Sequence, residues 1–194
     1  MTKQLIIMSG IPGSGKTYWA KTSNYIKRLR NRGKFEYISR DEIRFSVADE
    51  LGADLTKDYY QIEKTVYNVY IVEILEALRS DDISCVVVDA THLNYFSRKK
   101  LIYELTKDHY GEEDYLQETY DCEIILVHID TPLVTCIERQ EERPGIRAVP
   151  TDVIKSMFMS KQLPTKRELK EINYDRIYVV SEGFEVLVYE REEK

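Results

Sequence analysis

The sequence predicts an α/β fold, in which a doubly wound, mostly parallel five-stranded sheet carries helices on both faces and a helical lid. Two observations predict it. Apolar runs bounded by turn residues alternate with segments of helical periodicity, which is the pattern of parallel strands joined by right-handed helical crossovers. A glycine-rich segment follows the first apolar run, as expected for a loop that joins a strand to a helix. Ligands of such folds bind at the carboxyl edge of the strands.

The predicted strands are the apolar runs at 4–9, 35–39, 85–90, 122–130 and 176–181. Helical periodicity predicts helices at 15–31, 42–49, 58–80, 96–109, 132–142 and 151–162. The longest helix carries apolar side chains and tyrosines at three- and four-residue spacing, which favours burial in the core over a platform for stacking bases. Phe184, Val186 and Val188 occupy alternate positions, which is typical of a final edge strand. The acidic segment 111–121 is expected to be an exposed loop.

Length and composition fit a single domain over residues 1–194, with the lid at about 132–162. No apolar stretch approaches the roughly 20 residues that a membrane span requires, so we expect a cytoplasmic protein without membrane contact. Cys85, Cys122 and Cys136 lie in apolar segments, which favours small buried residues over a zinc site or a disulfide.

Charge is distributed unevenly, although the net charge is only −6. Residues 1–48 hold ten lysines and arginines and three acidic residues, a local charge of +7 that leaves −13 for the remainder. A local basic field can attract a polyanion such as a nucleic acid. The alternative is that the basic residues at 27–34 form the solvated end of a helix, where cations are favoured.

The glycine-rich segment is the most informative part of the chain. It has the spacing of a phosphate-binding loop and consists of Gly10, Ile11, Pro12, Gly13, Ser14, Gly15, Lys16 and Thr17. Its glycines allow backbone N–H groups to point at phosphate oxygens, at the positive end of the following helix. Lys16 supplies a charge, and Thr17 supplies a hydroxyl for a Mg²⁺ ion that bridges the outer phosphates. The sequence therefore predicts a P-loop NTPase that binds a nucleoside triphosphate.

Charged residues follow the second predicted strand. Asp41 is a candidate general base that accepts the proton of an attacking hydroxyl, and Arg44, one turn along, can hold an anionic group of the acceptor. Arg40 is a second candidate for binding the acceptor. The alternative is that Asp41 caps a helix that begins at Glu42.

Asp89 closes the third predicted strand. It is the expected partner of Thr17 in holding Mg²⁺, and the alternative is a turn residue that ends the strand. His92 follows nearby. Because a lone histidine in a loop is more often an ordinary polar surface residue, no role is assigned to it.

Arginines are spaced along the predicted lid. Arg139 and Arg143 are four residues apart, hence on one helical face, and Arg147 lies beyond a break at 144–145. This pattern is typical of a hinged lid that lowers guanidinium groups onto a phosphoryl group in transfer. The alternative is that the arginines pair with acidic neighbours on the surface. These neighbours are Glu138, Glu141 and Glu142.

Five segments occur in the order of a known family. They read GIPGSGKT at 10–17, SRDEIR at 39–44, VDATHLN at 88–94, DTPL at 130–133 and RQEERPGIRAVP at 139–150. Together, over about residues 4–181, they resemble the kinase domain of phage-type 5'-hydroxyl polynucleotide kinases. His92 departs from the pattern, since the family usually carries asparagine there. The phosphatase domain that phage enzymes often append has no counterpart here, so removal of a 3'-phosphate is expected to need another protein.

The resemblance implies a kinase that uses ATP and Mg²⁺, with the 5' end of DNA or RNA as acceptor. It implies that Asp41 is the general base and that Arg44 contacts the acceptor's phosphate. On the donor side, it implies that Lys16 and Thr17 engage phosphates and metal with support from Asp89. It also implies that Arg139 and Arg143 contact the donor phosphates and the transition state. Finally, it implies that the segment 148–150, which includes Val149, lines the adenine.

Other functions stay open. The same loop and S-R-D-x-x-R pattern occurs in sugar-nucleotide kinases of the toxin type and in kinases that act on aminoacylated transfer RNA. The acidic overall charge favours a small-molecule acceptor, such as a nucleotide-sugar or an antibiotic. A nucleotide-gated binding module without acceptor phosphorylation is a third possibility, against which Asp41 argues. The choice between DNA and RNA, the choice between ATP and GTP, and the oligomeric state stay open as well.

Overall fold

The computed structural model describes residues 2–31, 33–106, 120–181 and 184–191. The strands in these ranges are β1 (Lys3–Ser9), β2 (Lys34–Ser39), β3 (Ile83–Asp89), β4 (Cys122–Ile129), β5 (Arg176–Ser181) and β6 (Phe184–Glu190). The α-helices are α1 (Lys16–Thr22), α2 (Asn24–Arg30), α3 (Arg40–Leu51), α4 (Tyr59–Arg79), α5 (Tyr95–Thr106), α6 (Leu133–Glu141), α7 (Thr151–Ser160) and α8 (Lys166–Glu171). A 3-10 turn spans Gly145–Arg147.

The strands form one sheet in the order β2-β3-β1-β4-β5-β6. The first five are parallel, and β6 runs antiparallel to β5. The predicted parallel sheet is confirmed, and β6 is the edge strand that the alternating pattern predicted, so the sheet has six strands rather than five. Because β1 lies between β3 and β4, the loop that follows β1 emerges at the middle of the carboxyl edge.

Burial on both faces of the sheet explains the near-continuous apolar runs of the parallel strands. Alternation along β1 sends Leu5 and Ile7 into one apolar cluster and Ile6 and Met8 into another. The first cluster is covered mainly by α4, and the second contains Trp19 of α1 and residues of α2. The doubly wound arrangement, with helices on both faces, is therefore confirmed.

The cysteines and the tyrosines of α4 occupy the core largely as expected. Cys85, Cys122 and Cys136 are buried and form no disulfide. Tyr70 is fully buried, while Tyr67 is partly buried against the same cluster. No helix in the described ranges is long and apolar enough to cross a membrane.

The main differences from the predicted helices are a break, an earlier start and one additional helix. The predicted helix 15–31 is broken at Ser23, whose backbone is extended and whose side chain accepts the N–H of Ile26 to cap α2. Helix α3 begins at Arg40, two residues earlier than predicted, and the short α8 was not predicted. Of the predicted helix 96–109, residues 107–109 lie outside the described residues. The same holds for 111–119 of the predicted acidic loop.

Candidate active site

The phosphate-binding loop curls tightly between β1 and α1. Gly13 has a φ of 82°, and a Cβ at this position would lie 2.3 Å from the backbone carbonyl oxygen of Cys136 in α6. A side chain would be excluded here both by backbone conformation and by lack of space. The loop therefore lies directly against the base of the predicted lid.

Lys16 folds back over this loop. Its Nζ donates to the carbonyl oxygens of Gly10, at 2.9 Å, and Ile11, at 3.2 Å. Burial lowers the pKa of Lys16, and the carboxylates of Asp89 and Asp41 oppose that shift. Both carboxylates therefore act electrostatically on the ammonium group.

Thr17 and Asp89, the two residues predicted to hold Mg²⁺, are in contact. The Thr17 hydroxyl donates to Asp89 Oδ2 at 2.9 Å, and the Tyr37 phenol donates to the same oxygen. Burial and the charge of Asp89 raise the pKa of Tyr37, so the phenol stays protonated and remains a donor. Tyr37 was not predicted as a site residue, because nothing in β2 alone indicates that it faces β3.

This oxygen-rich pair fits Mg²⁺, which prefers hard oxygen ligands and keeps several waters or phosphate oxygens in its shell. In the described part of the chain, no group of three or more His, Cys, Asp or Glu side chains is placed to hold a metal by itself. Thr17 and Asp89 would therefore hold the ion together with the phosphates of a bound nucleotide.

Asp41 lies in the first turn of α3 and is 73% exposed. The alternative interpretation, in which Asp41 caps the helix, is wrong, because Ser39 is the cap and its hydroxyl accepts the N–H of Glu42 at 3.4 Å. The carboxylate of Asp41 instead forms an ion pair with Arg44. Its remaining surface faces the cleft, where a carboxylate can accept a proton from an alcohol.

Glu63 of α4 holds the two arginines of α3 that line the cleft. One carboxylate oxygen accepts from Arg44 Nε at 2.6 Å, and the other accepts from an Arg40 terminal nitrogen at 2.7 Å. Arg44 is thereby held between Asp41 and Glu63 and is only 12% exposed. Sequence reasoning missed Glu63, since only the packing of α3 against α4 brings it here.

The predicted lid arginines have separate positions. Arg139 donates to the carbonyl oxygens of Gly13, at 3.1 Å, and Ser14, at 3.3 Å. Arg143 lines the same cleft, where its charge lowers the pKa of Lys16. The contacts of Arg139 differ from the alternative of pairing with Glu138, Glu141 or Glu142.

Arg147 crosses the cleft to α3. It donates to both carboxylate oxygens of Glu42, at 2.7 and 3.2 Å, and its guanidinium lies 4.2 Å from the centroid of the Phe45 ring. We call this pair of contacts the lid latch. It joins the 3-10 turn of the lid to the helix that carries Asp41.

The base of the lid is fixed to the sheet. The ammonium group of Lys161 is 2.6 Å from Asp130 Oδ1, and the Thr131 hydroxyl donates to the Ser14 carbonyl at 2.7 Å. Within the lid, the Val149 N–H donates to Gln140 Oε1 at 3.1 Å, which fixes the segment at 148–150. The helical region from 132 to 162, which is the predicted lid, is thus anchored next to the phosphate loop.

Behind the cleft, a buried network fixes the loop after β3. His92 is 7% exposed, with its Nε2 3.1 Å from the Tyr70 hydroxyl, so the interpretation of an ordinary surface histidine is wrong. Burial lowers its pKa to about 3, which keeps the ring neutral. Its carbonyl accepts from Ser9 and from Arg98, and the fully buried Arg98 forms a bidentate pair with Glu168.

One open cleft of about 2100 Å³ joins these groups. The predicted site residues that line it are Pro12, Gly13, Ser14, Gly15, Lys16, Thr17, Arg40, Asp41, Arg44, Asp89, Arg139, Arg143 and Val149. Gly10 and Ile11 lie beneath it, where their carbonyl oxygens hold Lys16. The cleft therefore brings a phosphate loop, an oxygen pair suited to Mg²⁺, an exposed carboxylate and a set of arginines to one place.

The strand order, the phosphate loop and the lid together define a P-loop NTPase domain. A family model described as "AAA domain" matches residues 5–164. The chain belongs to this family.

Solved structures share the fold. A putative kinase from Chloroflexus aurantiacus J-10-fl is 15% identical, with a TM-score of 0.62 over 94% of this chain and 87% of that chain. Kti12 of Chaetomium thermophilum in complex with ADP-AlF3 is 14% identical, with a TM-score of 0.60 over 92% of this chain and 89% of that one. A fungal RNA kinase is 15% identical, with a TM-score of 0.57 over 100% and 78%. At such identities the likeness shows the fold alone.

Proposed function

We propose that this chain is an ATP-dependent kinase that transfers the γ-phosphoryl group to the 5'-hydroxyl end of DNA or RNA. The observation that carries the proposal is the position of Asp41. Its carboxylate is exposed to the cleft that holds the phosphate loop, and its charge acts on Lys16. A protein that only binds a nucleotide has no need of an accessible base, and a cleft of about 2100 Å³ leaves room beside Asp41 for an acceptor larger than water.

The proposed transfer is in line. Asp41 orients the attacking hydroxyl and accepts its proton, while Arg44 holds the acceptor. Lys16, Arg139 and Arg143 stabilise the negative charge spread over the moving phosphoryl group. When bound by Thr17 and Asp89, Mg²⁺ would neutralise charge on the outer phosphates.

A nucleic acid acceptor is supported by the arginines beside the proposed base. Arg44 and Arg40 both line the cleft, and guanidinium groups match the geometry of phosphate oxygens. The resemblance to polynucleotide kinases and the basic first quarter of the chain point the same way. The fold likeness to a fungal RNA kinase is compatible with this acceptor.

A second candidate is a kinase for a small molecule, such as a nucleotide-sugar or an antibiotic, or for an aminoacylated transfer RNA. One observation favours the small molecule. Glu63 neutralises part of the charge of Arg40 and Arg44, so the acceptor side is less basic than the sequence alone indicates.

The deciding experiment offers γ-labelled ATP to three pools. The first holds DNA and RNA oligonucleotides with free 5'-hydroxyls, the second a metabolite and antibiotic panel, and the third aminoacylated transfer RNA. We expect label on the oligonucleotides, at their 5' ends, and none there with oligonucleotides that already carry a 5'-phosphate. Label that appears only in another pool would overturn the proposed acceptor. Hydrolysis without any labelled acceptor would indicate a nucleotide-gated binding module.

A further inference from the structure

Two tyrosine rings line the cleft on the side of the proposed acceptor. We call this side, formed by Asp41, Arg44, Tyr59, Tyr60 and Glu63, the acceptor wall. Tyr59 and Tyr60 are the first two residues of α4, both line the cleft, and their side chains are 39% and 89% exposed. Their ring centroids are 5.4 Å apart at an interplanar angle of 80°. An exposed aromatic pair that lines a cleft is typical of a ligand contact rather than of core packing.

These rings differ from the tyrosines further along α4. Tyr70 is buried in the core, as the helical spacing predicts, and Tyr67 packs partly against the same cluster. In the first turn of α4 it is Ile62 that is buried in this cluster, whereas Tyr59 and Tyr60 are not among the residues that form it or pack against it. The periodicity that buries the later tyrosines therefore does not account for Tyr59 and Tyr60.

Along the acceptor wall, a carboxylate, a guanidinium group and two aromatic rings follow one another in contact. The Asp41 carboxylate contacts Arg44, whose guanidinium lies 4.9 Å from the centroid of the Tyr59 ring, and Tyr59 in turn contacts Tyr60. Glu63, one turn after Tyr59, holds Arg44 in this line. An alcohol bound at Asp41 therefore belongs to a molecule whose next groups meet first a guanidinium and then two aromatic rings.

This order matches the repeating chemistry of a single nucleic acid strand. Phosphates pair with guanidinium groups, and bases stack on aromatic side chains with little dependence on sequence. A simple sugar or a peptide offers no comparable succession of anions and flat π surfaces. Lys64, exposed one turn after Tyr60, adds a cation on the same side of the helix.

We propose that Tyr60, supported by Tyr59, stacks on a base within the first three nucleotides of the acceptor's 5' end. Tyr60 thereby determines how tightly the acceptor binds, without taking part in the chemical step. This inference rests on the proposed function, because it requires a polynucleotide acceptor.

The test compares Tyr60→Ala, Tyr60→Phe and Tyr103→Ala in the full chain. Tyr103 is the matched control, since it is also exposed, at 63%, but lies on α5 outside the cleft. For Tyr60→Ala we expect the KM for a single-stranded 5'-hydroxyl oligonucleotide to rise about tenfold, the loss of one base-stacking contact. The kcat and the KM for ATP stay within about twofold, and Tyr60→Phe and Tyr103→Ala resemble the unsubstituted protein.

A series of oligonucleotides with one abasic site, at nucleotide one, two, three or four, identifies the base. We expect that, when the abasic site is at one particular position among the first three nucleotides, the unsubstituted protein binds the oligonucleotide more weakly than the intact one. For Tyr60→Ala, the abasic site at that position should cause no further loss of affinity. An active protein in which Tyr60→Ala leaves the KM unchanged, or in which the abasic penalty persists, would overturn the stacking proposal alone. A protein that phosphorylates no oligonucleotide would overturn the proposed function with it. Unchanged KM for ATP shows that a variant is folded.

Discussion

The proposed donor half and the proposed acceptor half of the cleft are held together in different ways. On the donor side, Lys16 and Thr17 belong to one contiguous segment and are fixed by backbone carbonyls and by the buried Asp89. On the acceptor side, Asp41 and Arg44 of α3 and Glu63 of α4 are fixed mainly by one another's charges. The positions of the donor-side residues are thus fixed by the backbone, whereas those of the acceptor-side residues depend on ion pairs between side chains.

This difference has a consequence for specificity. Ion pairs among long side chains can be rearranged by a few substitutions without disturbing the sheet or the phosphate loop, so one donor site can serve different acceptors. Substitutions on the donor side should alter the response to ATP and metal, and substitutions on the acceptor side should alter the response to the acceptor. Four variants test this division.

The largest expected effect comes from Asp41→Asn. If Asp41 is the general base, kcat falls about 10³-fold while the dissociation constant for ATP changes by no more than a few-fold. Asparagine keeps an oxygen that can accept from Arg44, so the change removes basicity more than structure. Single-turnover kinetics and calorimetric ATP titration measure the two quantities.

Asp49→Asn, an exposed position further along α3, serves as the control and should leave both quantities unchanged. Full turnover of Asp41→Asn would remove Asp41 from the mechanism and with it the proposed transfer to an alcohol.

Glu63→Gln should have the next largest effect. Glutamine offers one acceptor oxygen instead of two and no charge, so Arg40 or Arg44 loses its partner. We expect kcat/KM for the acceptor to fall about 30-fold, which corresponds to a lost charged hydrogen bond of about 2 kcal/mol. The KM for ATP should not change.

Glu73→Gln on the exposed side of the same helix is the matched control. An equal loss of ATP and acceptor kinetics in Glu63→Gln would show that the two halves of the cleft are not independent.

The donor half was predictable from sequence because its residues are contiguous and its geometry follows from strand, loop and helix. Residues 10–17 predicted the positions of Lys16 and Thr17 without any tertiary information. Asp89 was predictable as well, because it ends a strand that the alternation of elements places at the same edge. The acceptor arginines were found from their spacing to Asp41.

Partners that depend on which elements become neighbours could not be predicted. Tyr37 reaches Asp89 only because β2 pairs with β3, and Glu63 reaches Arg44 only because α4 packs on α3. His92 is buried in contact with Tyr70 and has a positive φ of 38°, and neither feature has a signature in the sequence. The break at Ser23 reflects a side chain that competes for backbone N–H groups.

Tyr37→Phe should have a smaller effect, on the donor side alone. The variant loses the hydroxyl group that donates to Asp89. Loss of a hydrogen bond to a metal-binding side chain typically lowers metal affinity by about tenfold or more. We therefore expect the Mg²⁺ concentration for half-maximal activity to rise about tenfold, with the KM for the acceptor unchanged. Tyr25→Phe, which removes a hydroxyl bound to Gln4 instead, is the control. An acceptor effect without a change in the Mg²⁺ requirement would contradict the assignment of Thr17 and Asp89 to the metal.

The lid latch should give the smallest effect, because both of its members are about half exposed. We expect Arg147→Ala to raise the KM for ATP by about two- to threefold, because solvent-exposed ion pairs contribute little. Arg167→Ala, which breaks an exposed pair with Glu171 away from the cleft, is the matched control.

The pH dependence of this effect follows from Glu42. Its hydrogen bonds with Arg147 lower the pKa of Glu42 below its ordinary 4.5, so the latch is intact above that value and is lost only as the pH falls through the lowered pKa. The ratio of KM values between Arg147→Ala and the unsubstituted protein should therefore stay constant from about pH 6 to pH 8. A ratio that approaches one within that range would show that a group other than Glu42 holds the lid against α3.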